Sequence, residues 1–562
     1  MNDIAKRLQA CTEQLCQVGA PFEICSSTDS GLQEYKNAPA TMRELVDAGR
    51  AHGEQEFLVY QQKRLSFTQF FDKVDALGHY LINNKAIAKG ERVAIAMRNC
   101  PEWMVAYAAI VSVGAVVVPL NSWGSADELS YCLKDAGAKL LICDPARLQL
   151  TKPLLKSLNC QAIVTGDNSN TDESIGNFDD IITQNRGKAL PTTACAANDI
   201  AQIMYTSGTT GRPKGAVSSH KNICQAIYSF EFHAICSAMA NPKAIEKMFA
   251  GGFAPCTLLS VPLFHVSGCY AAFLLNLRGG RKTVMMYKWS PEEALELISK
   301  ERVTIFSAVP SMVMDLLRHP DVDSSDTSSL FSLGGGGAAC PPAFKETISN
   351  TLSSSYVGTG YGMTESNAIC ASCTGDAFMY KPDSAGILSP LVEWQTRDEQ
   401  GQPLPAGASG EIWLKSVCNI KQYWNKPDAN NINFDGNWMA TGDIGYLDEE
   451  NFVYLVGRAK DLIIRGGENI YPAEIEACLS LHPSISEAAI IAVPDERLGE
   501  VPGAVIKPRD GAEICHDDIK SYLSNKLAAY KIPQNIWISS QDLPRNASGK
   551  ILKSELVRQY ID

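Results

Sequence analysis

Apolar residues fall in short β-branched runs that alternate with segments of helical periodicity through most of the chain up to residue 450. The runs "RVAIAM" (Arg92 to Met97), "GAKLLICD" (Gly137 to Asp144), "QAIVTG" (Gln161 to Gly166) and "VTIFSAVP" (Val303 to Pro310) have the length and composition of strands. Each adjoins a helical pattern such as "SPEEALELISKE" (Ser290 to Glu301). This alternation predicts an α/β fold with largely parallel sheets. The most apolar stretch, Trp103 to Leu120, carries no charge and nearly reaches the length that spans a bilayer. Its internal order argues against a transmembrane segment. Ala-rich helix formers run to Ser112, Gly114 breaks the pattern, and "AVVVPL" is a β-branched strand stopped by Pro119.

The pattern changes near residue 380. "SGEIWLKS" (Ser409 to Ser416) and "NFVYLVGR" (Asn451 to Arg458) are short strands among turn signals, which predicts a more antiparallel, β-rich subdomain. A compact unit follows: helix 473–481, strands 488–493 and 503–507, helix 516–527, strand 535–538, the loop "NASGK" and a final helix. The expected organisation is an N-terminal extension (1–40), which is polar, mixed and uninformative, and a large domain (41–456) of parallel α/β sheets plus the β-rich subdomain. A hinge (457–461) and a small mobile α+β C-terminal domain (462–562) complete it.

Composition narrows the function class. The 562 residues exceed one ordinary hydrophobic core, 45% are hydrophobic, and the net charge is −12. That balance weighs against nucleic acid or an anionic membrane as partner, while leaving room for a locally basic site for a phosphorylated small molecule. The N-terminus lacks the apolar core of a signal peptide. With 18 scattered cysteines, free thiols in a reducing cytoplasm fit better than a disulfide framework. The single CxxC, Cys370 to Cys373, has no second half and no nearby His, so it supplies too few ligands for zinc.

The densest chemistry lies in "MYTSGTTGRPKGAV" (Met204 to Val217), placed between a strand-like and a helix-like run. It fails the Walker A test: Gly208 and Gly211 are too close together, and Lys214 is followed by Gly215 rather than Ser or Thr. It remains suited to phosphate. Glycines let backbone N–H groups approach oxygens, Thr206, Ser207, Thr209 and Thr210 add hydroxyl donors, and Lys214 adds charge.

This loop resembles the signature of the adenylate-forming superfamily, which includes acyl-CoA synthetases, aryl-CoA ligases, adenylation domains and beetle luciferases. The resemblance covers roughly residues 41 to 560. It is carried also by "SVPLFHVSG" (Ser260 to Gly268), "GGGGAACPP" (Gly334 to Pro342), "GYGMTES" (Gly360 to Ser366), "ATGDIG" (Ala440 to Gly445), "GRAKDLIIRGGENIYPAEIE" (Gly457 to Glu476) and "PRNASGKILKSEL" (Pro544 to Leu556). It implies two steps: a carboxylate and ATP give acyl-AMP and pyrophosphate, and a thiol then takes the acyl group. The loop from Thr206 to Lys214 would hold the β- and γ-phosphates. Gly336, Gly337 and Ala338 would lie against the adenine, although the commoner family form has Ser where Gly335 stands. Tyr361 would stack on the adenine, with Gly362 and Met363 in the same turn. Thr364 would meet the α-phosphate, and Glu365 with Thr206 would serve Mg²⁺. Asp443 and Arg458 would hold the ribose. Lys550 would reach from the small domain to the α-phosphate and the attacking carboxylate. After adenylation the small domain would swing about Lys460, bringing Gly466 and Gly467 past a pantetheine arm.

His265 marks the acyl side. The residues after it are small or apolar, with no carboxylate for a substrate ammonium and no Arg in the motif for a second substrate carboxylate, which favours an apolar acyl tail. The resulting expectation is a cytoplasmic ATP-dependent acyl-CoA ligase, using Mg²⁺ and coenzyme A, for a hydrophobic acid such as a medium- or long-chain fatty acid. The alternatives are an aryl-CoA ligase, an acyl-AMP ligase loading a carrier protein, and a non-catalytic nucleotide-binding module. Homodimerisation is left open.

Overall fold

A computed structural model of the chain describes residues 3–166, 175–206, 212–337, 344–351, 356–466, 468–546 and 549–561. The expected alternation produces two large sheets. Among the described residues, an eight-stranded sheet runs in the order Gln422–Tyr423, Lys214–Ser219, Ile200–Thr206, Val116–Pro119, Arg92–Ala96, Leu140–Cys143, Gln161–Val164 and Ile175–Asn177. The apolar stretch that resembled a membrane span is the fully buried helix Pro101–Ser112, a turn through Gly114, and the central strand Val116–Pro119. No helix among the described residues is long and apolar enough to cross a membrane.

The second sheet is fourteen-stranded. Its centre is parallel: Lys282–Met285, Cys256–Leu259, Ile305–Ala308, Ser332–Gly336 and Tyr356–Tyr361 pair in succession. The change of pattern near residue 380 marks a change of direction within this sheet. Ala371–Thr374, Gly386–Leu388, Phe452–Arg458, Trp438–Leu447, Gly410–Ser416 and Val392–Arg397 continue it as antiparallel strands. The β-rich region is thus hydrogen-bonded onto the parallel sheet, because an edge strand of one pairing type can still donate and accept in the other.

Helix His220–Ala240 lies across one face of that sheet. Ser219 starts it with a capping box, its hydroxyl accepting from the Asn222 amide. Ser237 Oγ meets the hydroxyls of Tyr356 and Thr374 on the sheet below. The C-terminal unit has, among the described residues, a five-stranded sheet of its own, with Gly499–Pro508 at its centre and Ile485–Asp495 on one edge, and helices Pro472–Ser480, His516–Ser524 and Lys553–Tyr560. Its separate core gathers Ile463, Ile475, Leu479, Ile490, Ile506, Ile519 and Leu523.

Two expectations need correction. The phosphate-type loop does not lead into a helix. Lys214–Ser219 is a strand, antiparallel to Ile200–Thr206 on one side and to Gln422–Tyr423 on the other, and the helix starts only at His220. The run KGAVSS has no apolar–polar alternation to mark it as a strand, and pairing on both edges decides the matter. The N-terminal extension is also part of the body. Helix Asp3–Cys16 packs on helix His220–Ala240, where Arg7 Nη1 donates to the Ala240 carbonyl at 2.6 Å. Phe22 and Tyr35 join Tyr228 and Phe232 in an aromatic cluster.

Candidate active site

A cavity of about 3200 Å³ lies between the large sheets and the C-terminal unit. One end of it is made where four chain segments meet. On the antiparallel strands Trp438–Leu447 and Phe452–Arg458, Asp443 sits opposite Arg458, whose Nε is 3.1 Å from Asp443 Oδ1. Tyr361 ends the strand Tyr356–Tyr361 and donates its hydroxyl to Asp443 Oδ2 at 2.7 Å. Both carboxylate oxygens are therefore oriented by protein groups, each with lone-pair capacity left.

Glu365 lies in the short turn Thr364–Ser366 and is 7% exposed. Its Oε1 accepts from the Tyr423 hydroxyl at 2.8 Å. Burial raises its affinity for a proton, opposed by Tyr423 and by the charges of Arg458 and Lys214. The turn is pinned from behind by Asn367, which holds a left-handed φ of 49°. Asn367 Oδ1 accepts from Ser218 and Tyr270, each at 2.9 Å, and its Nδ2 donates to the Cys418 carbonyl at 2.7 Å. Tyr270 accepts in turn from Gln202, which accepts from Tyr107. This buried chain fixes the Glu365 turn to the strand that carries Thr206.

Lys214 pairs across the hairpin with Thr206, and its Nζ stands 5.1 Å from the centre of the Tyr423 ring. Lys460 lies in the turn Ala459–Asp461, immediately after Arg458. Its pKa is lowered by burial and by Lys214 and Arg458, with Asp461 opposing. Lys550 comes from the C-terminal unit. Its amide donates to Asn546 Oδ1 at 2.9 Å, and Arg545 holds the Gly549 carbonyl at 2.6 Å. Gly549 has φ +81°, and a methyl group there would reach Val309 of the large domain at 3.4 Å, so the loop is seated against its neighbour. The Lys550 pKa is lowered by the surrounding protein and then by Arg458, with Asp443 and Glu365 opposing. Lys214, Arg458, Lys460 and Lys550 thus converge around two carboxylates, and burial first, then repulsion from neighbouring cations, lowers the pKa of both Lys460 and Lys550. A polyanion would relieve that repulsion.

His265 stands at the turn from this end into the rest of the cavity. Burial, with Lys550 adding, holds its pKa down to about 4, so the imidazole is neutral near pH 7. Its Nε2 is buried and has no hydrogen-bond partner among the described residues. The helical turn after it packs so closely that a methyl on Gly268 would sit 2.3 Å from the Pro262 carbonyl oxygen.

Beyond His265 the cavity runs along the fourteen-stranded sheet, under helix His220–Ala240. Its floor comes from paired glycines: Gly334 opposes Gly358 and Gly336 opposes Gly360. A Cβ built at Gly336 would meet nothing within 4 Å, because it would project into the open channel. Phe230 and Ala234 form the roof, and Val266, Ala271, Ala272 and Leu275 one wall.

The structure brings together Thr206, Lys214, His265, Gly336, Gly337, Tyr361, Gly362, Met363, Thr364, Glu365, Asp443, Arg458, Lys460 and Lys550 on this one cavity. Gly466 lies off it, its amide donating to the Leu498 carbonyl at 2.8 Å. Ser207, Gly208, Thr209, Thr210, Gly211, Ala338 and Gly467 fall outside the described residues. Sequence reasoning missed Tyr423 and Asn367. A Tyr in the unremarkable run "NIKQYWNK" carries no signal, whereas Asn just after "GMTES" is a residue type that tolerates the left-handed turn found there.

The AMP-binding enzyme family model matches residues 45–424, and the AMP-binding enzyme C-terminal domain model matches residues 474–550. The chain belongs to the AMP-binding enzyme family. The long-chain-fatty-acid–CoA ligase FadD13 of Mycobacterium tuberculosis is 33% identical over 90% of this chain and 93% of its own length. A feruloyl-CoA synthase of Amycolatopsis is 32% identical over 84% and 90%. Among solved structures, the o-succinylbenzoate CoA synthetase of Bacillus subtilis with its acyl-adenylate intermediate superposes with a TM-score of 0.74, at 29% identity, over 91% of this chain and 97% of that one. Within the family the chain stands in the acyl-CoA synthetase branch and is an AMP-forming acid–thiol ligase. The α/β architecture with a smaller C-terminal domain is that of the branch.

Proposed function

We propose that this ligase activates a hydrophobic, long-chain carboxylic acid and transfers its acyl group to coenzyme A. The observation that carries this reading is the continuity of one cavity. A cation-rich end suited to a triphosphate passes at His265 into a channel with a glycine floor and apolar walls. The relatives act on fatty, feruloyl and succinylbenzoyl groups, so family alone leaves the acid open, and the length of the channel favours a chain.

In the first step a carboxylate oxygen attacks the α-phosphorus of ATP, the bond to the β-phosphate oxygen breaks, and pyrophosphate leaves. Lys214 and Thr206 hold the departing phosphates, and Lys550 donates to the α-phosphate and the incoming carboxylate as negative charge gathers there. Asp443, held by Tyr361 and Arg458, accepts from the ribose hydroxyls. Among the described residues no cluster of three or more metal-ligating side chains exists, which suits Mg²⁺ carried in with the phosphates. Glu365 fits that ion: it is a buried hard-oxygen donor whose proton affinity is raised without a cation, and Thr206 would stand beside it. Bound Mg²⁺ would neutralise phosphate charge. In the second step the thiol of coenzyme A attacks the acyl carbon and AMP leaves. The neutral imidazole of His265 lies at this junction, placed to orient the carboxylate. Residues 457–461 would serve as the hinge for a rotation that withdraws Lys550 and brings Gly466 to the cavity.

The test is pyrophosphate release with ATP, Mg²⁺ and a panel of acids graded in length and aromaticity, with and without coenzyme A. Acid-dependent pyrophosphate and a thioester product are expected, strongest for long aliphatic acids. Pyrophosphate without thioester would point to a carrier-protein acceptor, and a preference for aryl acids would overturn the long-chain reading. We also propose a cytoplasmic enzyme, on the abundance of free thiols.

A further inference from the structure

The far end of the channel differs chemically from its middle. At the N-terminal edge of the sheet the lining turns polar: His233 from the roof helix, Thr257, Asn276, Arg281 and Thr304. Most of these groups are already satisfied. Thr257 donates to Asn276 Oδ1 at 3.2 Å, Asn276 donates to Thr283 at 3.0 Å, and the Thr304 hydroxyl donates to the Cys256 carbonyl at 3.2 Å. Arg281 is not. Its half-buried guanidinium has no side-chain hydrogen bond and no ion pair within 4.0 Å among the described residues. The nearest compensating charge, Glu231, binds Arg278 at 2.6 Å and acts on Arg281 only at longer range. His233 lines the same cavity, and burial holds its pKa down to about 4, so it adds a neutral imidazole to the lining. A half-buried guanidinium that no protein group accepts from has its donors free for a ligand acceptor.

Resting on the proposed reading of the channel as the acyl site, we infer that the substrate carries an anionic group at its far end, received by Arg281. The activated acid is then a chain with a second, terminal carboxylate or a like-charged acceptor, bound tail-first with its plain carboxylate at Lys550. Register sets the length. Arg281 lies two positions before Thr283, which pairs with the level of Thr257 and Ile305, and Gly336 lies four positions beyond Ser332, the partner of Ile305. Six strand residues at about 3.3 Å each separate the two ends by roughly 20 Å. An extended arginine side chain would cover up to roughly 6 Å of such a span. At the roughly 1.2 Å per chain atom of an extended backbone, on the order of a dozen chain atoms bridge the remainder.

The experiment compares matched pairs of acids of equal length, methyl-terminated against ω-carboxylated, from eight to eighteen carbons, with acyl-CoA formation followed for wild type, Arg281→Met and Arg281→Lys. Near the length the register sets, the wild type is expected to prefer the diacid by about tenfold to a hundredfold in kcat/KM, the range for a hydrogen bond to a charged group. Arg281→Met reverses that ratio, and Arg281→Lys keeps part of it. A wild type that prefers the methyl-terminated acid at every length overturns the inference, as does a diacid-to-monoacid ratio that Arg281→Met leaves unchanged. Failure to form a thioester from any acid would instead overturn the acyl-CoA ligase reading beneath it. Because the ratio is measured within each protein, partial misfolding of a variant does not mimic the result.

Discussion

The two ends of the cavity use charge in opposite ways. At the nucleotide end, Lys214, Arg458, Lys460 and Lys550 crowd together, and the carboxylates among them are each held by a tyrosine: Tyr361 on Asp443 and Tyr423 on Glu365. At the tail end Arg281 lines the cavity with no ion pair within 4.0 Å among the described residues. The first arrangement is built from turns and strand ends of both large sheets, and one member, Lys550, arrives on another domain. The second is built from one sheet and the helix above it. A site assembled from separate elements can be taken apart during a reaction cycle, whereas a channel within one layer keeps its length. This is the physical basis for expecting the nucleotide end to serve two half-reactions and the channel to act as a ruler.

The largest effect should come from removing the cation that crosses between domains. Lys550→Ala is expected to lower acid-dependent pyrophosphate release by about 10²–10³. Thioester formation from supplied acyl-AMP should suffer far less, and equal losses in the two assays would contradict the separation of roles. Next is the channel. Gly336→Val places a side chain into open space above the floor and should lower kcat/KM for long acids by on the order of tenfold relative to short ones. A uniform loss across chain lengths would mean that Gly336 does not border the acyl path. Tyr423→Phe leaves Glu365 short of its donor; a loss of about 1–3 kcal/mol is expected in the unfolding free energy measured by urea denaturation, together with a raised KM for ATP at limiting Mg²⁺.

A smaller effect tests the electrostatics directly. Lys550 must be protonated to donate, and its pKa lies below that of an ordinary lysine, so adenylation should fall as pH rises through that lowered value. Arg458→Gln removes a neighbouring positive charge and should move this alkaline limb to higher pH, whereas Asp443→Asn removes an opposing negative charge and should move it lower. Limbs that move together, or not at all, would show that the cations are not coupled as the geometry indicates. The smallest effect is expected far from both ends. Arg7→Ala removes the donor to the Ala240 carbonyl and a half-exposed pair with Asp376, and should cost about 0.5–1.5 kcal/mol of stability without altering the acid preference.

Much of this could be read from the chain. Strand–helix alternation gave the α/β class, and the expected C-terminal elements recur as Pro472–Ser480, Ile485–Asp495, Gly499–Pro508, His516–Ser524 and Asn535–Ile538. The motif residues that the structure describes gather on one cavity, apart from Gly466. Other features were illegible because they depend on what lies across a gap. The strand Lys214–Ser219 needed two neighbours to exist, and the N-terminal helix looked featureless until helix His220–Ala240 gave it a surface.

The sequence by itself determined the chemistry of each short segment: which loops could meet phosphate, which lysines could move, where apolar runs would be buried. These are local properties of residue type and spacing. Only the tertiary structure decided that Tyr423 steadies Glu365, that glycines on adjacent strands align into a channel floor, and that Arg281 lines the same cavity as those glycines. Each of those facts is a register between elements distant in the chain. Strand pairing and helix packing set such registers through the whole core, and no local pattern records them.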